Sequence, residues 1–495
     1  MNILRLTLLL GLAAALAARA DTGERNAWPV RVAEIRADGQ TESWQSLGPL
    51  LFEKPADDGG SIAGFRPFYV ATTDARGLTR QTTVLYPIFT YRSDGEVSQW
   101  TILQLINRSG RAEGAPPTKD EKHEAFDVWP LWFSRQTDSP ETSYHALFPV
   151  AGTIKNRFGF DRISWGLWPL YMESSKRGTT TTSVPWPILR VTRGTEQGFA
   201  LWPLFGWREK PDAFRQQYYL WPLIWNNTTQ PPAAAPAGTP PSRAVGFLPF
   251  YTREQSAGFI NENYAWPFFG YTTRTQPFRY DETRYLWPLL VQGRGDDRLV
   301  NRWGPFYTHS VIKGLDKTWV LWPLFREATW TDAGIRQTKT QLLYFFVWSL
   351  DQRSATNPAR PHANIVHVWP LLSEWSNGAG RRQLQVPSPL EVFFPGNAKV
   401  RESWTPLFAL YRYDQRAPDD FRHDFLWGAV TWRREAGRRE FHLGPLLSVD
   451  SQAQHRRIAL GNGLLGLERR ADTGGWRFFW FDFPSSPAKA QTSSR

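Results

Sequence analysis

Residues 217–227 read QYYLWPLIWNN, an aromatic and apolar run of the kind that forms β-strands, with Pro222 at its centre. Proline has no N–H to give a ladder, so sheets confine it to edges, strand starts and bulges. The arrangement nevertheless recurs at Trp129-Pro130, Trp168-Pro169, Trp202-Pro203, Trp221-Pro222, Trp287-Pro288, Trp322-Pro323 and Trp369-Pro370. Variants replace the Trp, as in Phe148-Pro149, Leu248-Pro249 and Gly304-Pro305. Neighbouring clean copies stand 16 to 21 residues apart. A self-similar period over most of a chain marks a repeat architecture, and it constrains the fold before any single residue does.

Turn chemistry falls about halfway between successive prolines, at Ser93-Asp94-Gly95, Lys210-Pro211-Asp212, Gly293-Arg294-Gly295-Asp296 and Ser376-Asn377-Gly378. Gly, Asn and Asp supply the backbone angles of tight hairpins. One strand and one turn per period, with the proline at mid-strand, predicts an all-β fold. It would be an antiparallel meander of roughly two dozen strands, curled or closed in a barrel-like or propeller-like way. On this reading both faces are apolar at mid-strand: Leu220 and Ile224 on the proline's face, Trp221 and Leu223 on the other. Each proline would bend its strand where a ladder bond is missing. The Trp before it would join a buried aromatic belt, each copy covering about 150–250 Å².

The array is expected to fill residues 21–483, with loops inserted near 109–126, 226–244 and 352–364 and a disordered tail over 484–495. Residues 1–20 read as a signal peptide. Arg5 opens it, an apolar run extends from Leu6 to Ala17, and Ala18-Arg19-Ala20 offers a small-x-small cleavage site. Cysteine is absent, which excludes disulfides, thiolate metal sites and an acylated N-terminal cysteine. Together these features point to export, to the periplasm or outer membrane of a Gram-negative-type bacterium. The formal charge of +12 becomes 12 − 2 = +10 without Arg5 and Arg19. Arginine pairs such as Arg433-Arg434 and Arg438-Arg439 could meet anionic lipid headgroups or an acidic glycan, or simply flank turns. Nucleic acid is a poor partner for an exported chain.

In LWPLF, GPFY and LWPLL the chain resembles uncharacterised exported bacterial proteins that repeat W/F-P-L or G-P-L motifs along their length. The likeness spans nearly all of the mature chain and carries no catalytic residue with it.

The residues give no enzyme away, and no cofactor or metal is expected. His362 and His367 are five apart, which suits neither strand nor helix geometry for one metal. Carboxylate pairs such as Asp296-Asp297 and Asp419-Asp420 lie in hydrophilic, turn-like runs, where a glycosidase-type pair could hide without a local signature. Three roles therefore compete. The first is a non-enzymatic envelope protein, a scaffold or binder at the outer membrane or a surface polymer. The second is a transmembrane β-barrel pore, and the third a propeller-like carbohydrate binder.

Overall fold

The computed structural model describes residues 23–36, 40–112, 124–453, 455–470 and 474–482. The expected signal segment and C-terminal tail lie outside them, as does most of the loop expected near 109–126. The fold is an all-β antiparallel meander of 45 strands, with strand accounting for 60% and helix for 2%. The chain divides into two compact units: the described residues up to Arg92 together with those from Phe345, and Ser93–Tyr344.

The strand number is nearly twice the expected one, and the reason lies in the prolines. None of the seven Trp-Pro pairs named above is at mid-strand. Strand Phe214–Tyr219 ends before Leu220-Trp221-Pro222-Leu223, and strand Ile224–Thr229 begins after it. The Leu223 N–H donates to the Leu220 carbonyl across this turn (2.7 Å), and the Trp221-Pro222 peptide is cis, as are those of the other six pairs. Leu167, Leu220 and Leu321, each just before a Trp-Pro pair, adopt φ of 45°, 46° and 48°. One period is thus two strands and two turns, one built on Trp-Pro and one on the polar sequence. Lys210-Pro211-Asp212 does form such a polar turn, between strands Phe205–Lys210 and Phe214–Tyr219. The loops expected near 226–244 and 352–364 are shorter than expected, because Ile224–Thr229 and Ser242–Phe247 pair to their ends, as do Val347–Ser354 and Ala363–Val368 through Gln352↔Ala363.

In the second unit each strand packs chiefly against its neighbours in sequence, so most residues are half-buried from both sides. Several strand centres are polar on both faces, as in Arg215-Gln216-Gln217 and Thr179–Ser183. Cross-strand pairs bind such a layer, each contributing about 0.2–1 kcal/mol. Examples are Arg253–Glu262 (3.1 Å), Thr153–Ser164 (2.9 Å) and Thr181–Thr192 (3.2 Å). One local core forms where Phe133, Tyr144, Ile154 and Trp165 meet.

Glycines sit opposite aromatic rings in this layer, and the rings cover them. Trp225 is the cross-strand partner of Gly246, and Tyr218 of Gly206. A Cβ on Gly246 would come within 2.2–2.4 Å of the Trp225 ring. Gly246→Ala is therefore expected to displace Trp225 and cost about 1–3 kcal/mol. Urea unfolding against the parent checks this; an unchanged midpoint would mean that the ring lies elsewhere.

Candidate functional site

In an antiparallel meander successive turns fall at opposite edges. All Trp-Pro turns of the second unit therefore share one edge, and the polar turns share the other. The proline's missing N–H is harmless in a turn, while its carbonyl is used. The Trp168, Trp186, Trp221 and Trp322 N–H groups donate to the carbonyls of Pro149, Pro169, Pro203 and Pro305, the prolines of the preceding turns (2.6–2.8 Å). Consecutive turns are thereby tied to one another, and their rings touch: Phe148–Trp168 at 5.1 Å, Trp168–Trp186 at 5.5 Å and Trp202–Trp221 at 6.2 Å between centroids.

This rim is exposed, which corrects the expectation of a buried belt. Trp129 is 53%, Trp221 52% and Trp322 61% accessible, and Trp287 is exposed as well. Trp168 and Trp202 are half-buried against their neighbours. Leu131, Leu170, Leu204, Leu223, Leu289 and Leu324, one residue beyond each proline, are exposed too. The physical reason is that a turn at a sheet edge has no second layer above it. Eleven seven-residue windows centred on Pro130, Pro149, Pro169, Pro187, Pro203, Pro222, Pro249, Pro267, Pro288, Pro305 and Pro323 contain four charged residues in all: Asp127, Arg190, Arg302 and Arg326. The opposite edge carries Lys176-Arg177, Glu209-Lys210, Asp296-Asp297 and Lys313. The seventh pair, Trp369-Pro370, belongs to the first unit, where Trp369 packs edge-on against Phe345 (5.5 Å) and donates from Nε1 to the Pro389 carbonyl (3.0 Å).

The first unit holds a feature that sequence reading missed, a buried charge network between its N- and C-terminal strands. Arg422 pairs with Glu34, with Glu24 (3.2 Å) and with Asp424 (3.3 Å). Glu440 accepts from the Glu24 N–H (3.0 Å) and pairs with Arg438 (2.8 Å), which also holds Asp450 through Nε (2.9 Å). Asn26 reaches the Gly428 carbonyl (2.7 Å). Burial would raise Glu34, but Arg422, Arg433 and Arg416 outweigh it and bring the carboxyl down to about 2. For Glu440 burial prevails over Arg438 and lifts it to about 7, and burial lifts Asp424 to about 6. Burial also pushes His442 down. These groups come from strands about 400 residues apart in sequence, such as Glu24 and Arg422 (422 − 24 = 398), so no local spacing announces them.

Among the described residues no group of three or more His, Cys, Asp or Glu side chains is placed to hold a metal. His367 is fully buried, hydrogen-bonded through Nδ1 to Ser373 Oγ (2.5 Å), which meets Ser388 Oγ at 2.7 Å. Burial closes this His–Ser contact to substrate. His362 is exposed in the loop before strand Ala363–Val368. Asp296-Asp297 and Asp419-Asp420 lie at hairpin ends. No model of a known protein family matches the chain, and no curated protein does.

Glu440 and Asp424 have raised values in the fold, so folding takes up protons between about pH 4 and 7. Their contribution is full below pH 4, where the unfolded chain is also protonated, and is lost as pH rises through 6 to 7. Glu34, depressed, contributes above its ordinary range near 4.5 and loses that contribution as pH falls towards 2. Glu440→Gln is expected to flatten the decline between pH 5 and 8 by on the order of 2–3 kcal/mol. Denaturant midpoints at the two pH values measure this; an equal decline in parent and variant would contradict the assignment.

Proposed function

We propose that this is a non-enzymatic, exported envelope protein, a β scaffold that seats its Trp-Pro rim in a lipid surface. The observation that carries the reading is the near absence of charge from the eleven rim windows. Three residues of strand extend about 10 Å, which matches the depth of about 5–10 Å to which interfacial segments bury their apolar faces. Above the Leu and Phe tips lie Tyr171, Tyr219, Tyr251, Tyr264, Tyr285 and Tyr307, within three residues of a rim proline. Amphipathic rings at that level suit the headgroup zone.

A pore has less support. Strands of the second unit run from four residues (Tyr144–Leu147) to eight (Phe325–Asp332), short of the roughly 9–11 that cross a bilayer. Several centres, such as Thr179–Ser183 and Arg215-Gln216-Gln217, are polar on both faces, where a spanning strand needs one apolar face. The exposed Trp rings would also serve a carbohydrate binder. Rim tryptophans, however, stand between a proline and Leu, Val, Ala or a second proline, none of which offers sugar hydroxyls a side-chain partner.

Flotation with neutral phosphatidylcholine vesicles tests the proposal. The parent is expected to float and to remain bound in high salt. Leu223→Asp, Leu289→Asp and Leu324→Asp combined alter exposed positions and so are expected to leave folding intact. Each removes up to about 1.5–3 kcal/mol of apolar burial, so association should fall more than about tenfold. A triple variant that floats like the parent would overturn the reading.

A further inference from the structure

A second surface of the second unit begins at the border of the rim, at Arg326, and has a different chemistry. Strand Phe325–Asp332 pairs with Leu315–Val320 on one side and Ile335–Leu342 on the other. The register sets Lys317, Ala328 and Lys339 in one row across the three strands. Directly opposed residues share a face, and neighbouring strands are about 4.8 Å apart, so the two lysines rise on either side of Ala328 from backbones about 10 Å apart. Ala328 is 3% exposed. Its methyl group is the floor of a trough, because Arg326 and Trp330, two residues along on the same face, are much longer.

The groove here has a volume of about 520 Å³, and Lys313, Arg326, Trp330, Asp332 and Lys339 are among its walls. Three cations thus face one carboxylate, and Lys317 adds a fourth cation beside them. The other acids of these hairpins lie on the opposite face. Glu327 is on the opposite face by alternation, and Asp316, also opposite, pairs with His309 (3.0 Å). Arg326 is held in place, with its guanidinium 4.9 Å from the Trp319 ring and Nη1 donating to Gln341 Oε1 (3.0 Å). Its Nε is buried without a hydrogen-bond partner among the described residues. Lys317 and Lys339 are both held below the usual lysine range, by burial first and then by Arg326, with Arg302 adding to the effect on Lys317. Like charges gathered on one face repel, and an anion between them relieves the repulsion.

We propose that this trough binds an anionic sugar, with its phosphate or carboxylate among Lys317, Arg326 and Lys339 and the apolar face of its ring against Trp330. Guanidinium and ammonium donors are the groups that hold phosphate and carboxylate. An aromatic face supplies the apolar contact that a pyranose ring requires. Such a sugar could be free or the head group of a glycolipid; the chemistry is the same. Arg326 stands at the border of the rim, three residues beyond Pro323, whereas Lys317, Ala328, Trp330 and Lys339 lie outside the rim windows.

The test is titration of the purified full chain, followed by Trp fluorescence and calorimetry, with glucose 1-phosphate and trigalacturonic acid as probes. Inorganic phosphate and neutral maltotriose are the controls. At least one anionic sugar is expected to bind at least about tenfold more tightly than either control. Lys317→Gln with Lys339→Gln should weaken that binding about tenfold or more, while circular dichroism stays unchanged. Trp330→Ala should lower affinity for the sugar and leave inorganic phosphate unaffected. Equal binding by the double-lysine variant and the parent would overturn the site. Maltotriose or inorganic phosphate binding as tightly as the anionic sugars would overturn the ligand class. For the source, the rim triple variant is offered vesicles with and without a phosphorylated glycolipid. Retention only on the glycolipid vesicles supports a head group, and binding of the soluble sugars alone supports a free saccharide. If neither binds, the proposal fails while the rim reading stands or falls on its own flotation result.

Discussion

The hydrogen bond from the Trp221 N–H to the Pro203 carbonyl, repeated between other successive turns, is the constraint on which the second unit depends. A turn at a sheet edge ordinarily leaves its polar groups to water. Here the proline has no donor to satisfy; the next turn takes the carbonyl of Pro149, Pro169, Pro203 and Pro305, and at other turns the carbonyl one residue on, as at Leu223, Phe268 and Leu289, so part of the edge's backbone polarity is met within the layer. That permits Leu, Trp and Phe to crowd where a hairpin would usually present Gly, Asn and Asp.

Much of the architecture was legible. The period, the polar turns and the antiparallel order of strands all followed from Pro spacing and from turn signals such as Lys210-Pro211-Asp212. The position of the proline did not follow, because Leu-Trp-Pro-Leu is made of the residues that favour strands and no Gly or Asn marks it as a turn. One signal was present and is decisive in retrospect. A mean strand is about 5–6 residues, so a spacing of 19 between Pro203 and Pro222 is too long for one strand and one turn. It accommodates two of each. With that change the apolar flanks move from the strand centre to its end, and a buried belt becomes an exposed rim.

The first unit shows why the remainder was hidden. Glu24, Glu34, Arg422 and Glu440 look like ordinary strand residues, and their meeting depends on the N- and C-terminal strands packing together. Such a network is costly to build, since each ion must leave water, and breaking one partnership exposes the rest to that cost. Its value lies in pairing specificity. Repeats of similar sequence could pack in many registers, whereas Arg422 finds its carboxylates in only one, so the network selects that arrangement over slipped ones.

The trough and the rim follow from the same rearrangement of polarity. In most sheets polarity alternates across the layer, one face to the core and the other to water. In much of the second unit it varies along the strand instead: an apolar edge at the Trp-Pro turns, polar centres in several strands, charges towards the opposite edge. Lys317, Arg326 and Lys339 can share a face because no second layer needs that face to be apolar. A small residue between them, Ala328, then suffices to make a recess. Where a layer is polar on both faces it has no hydrophobic side with which to choose between faces, so each is open to carry a site.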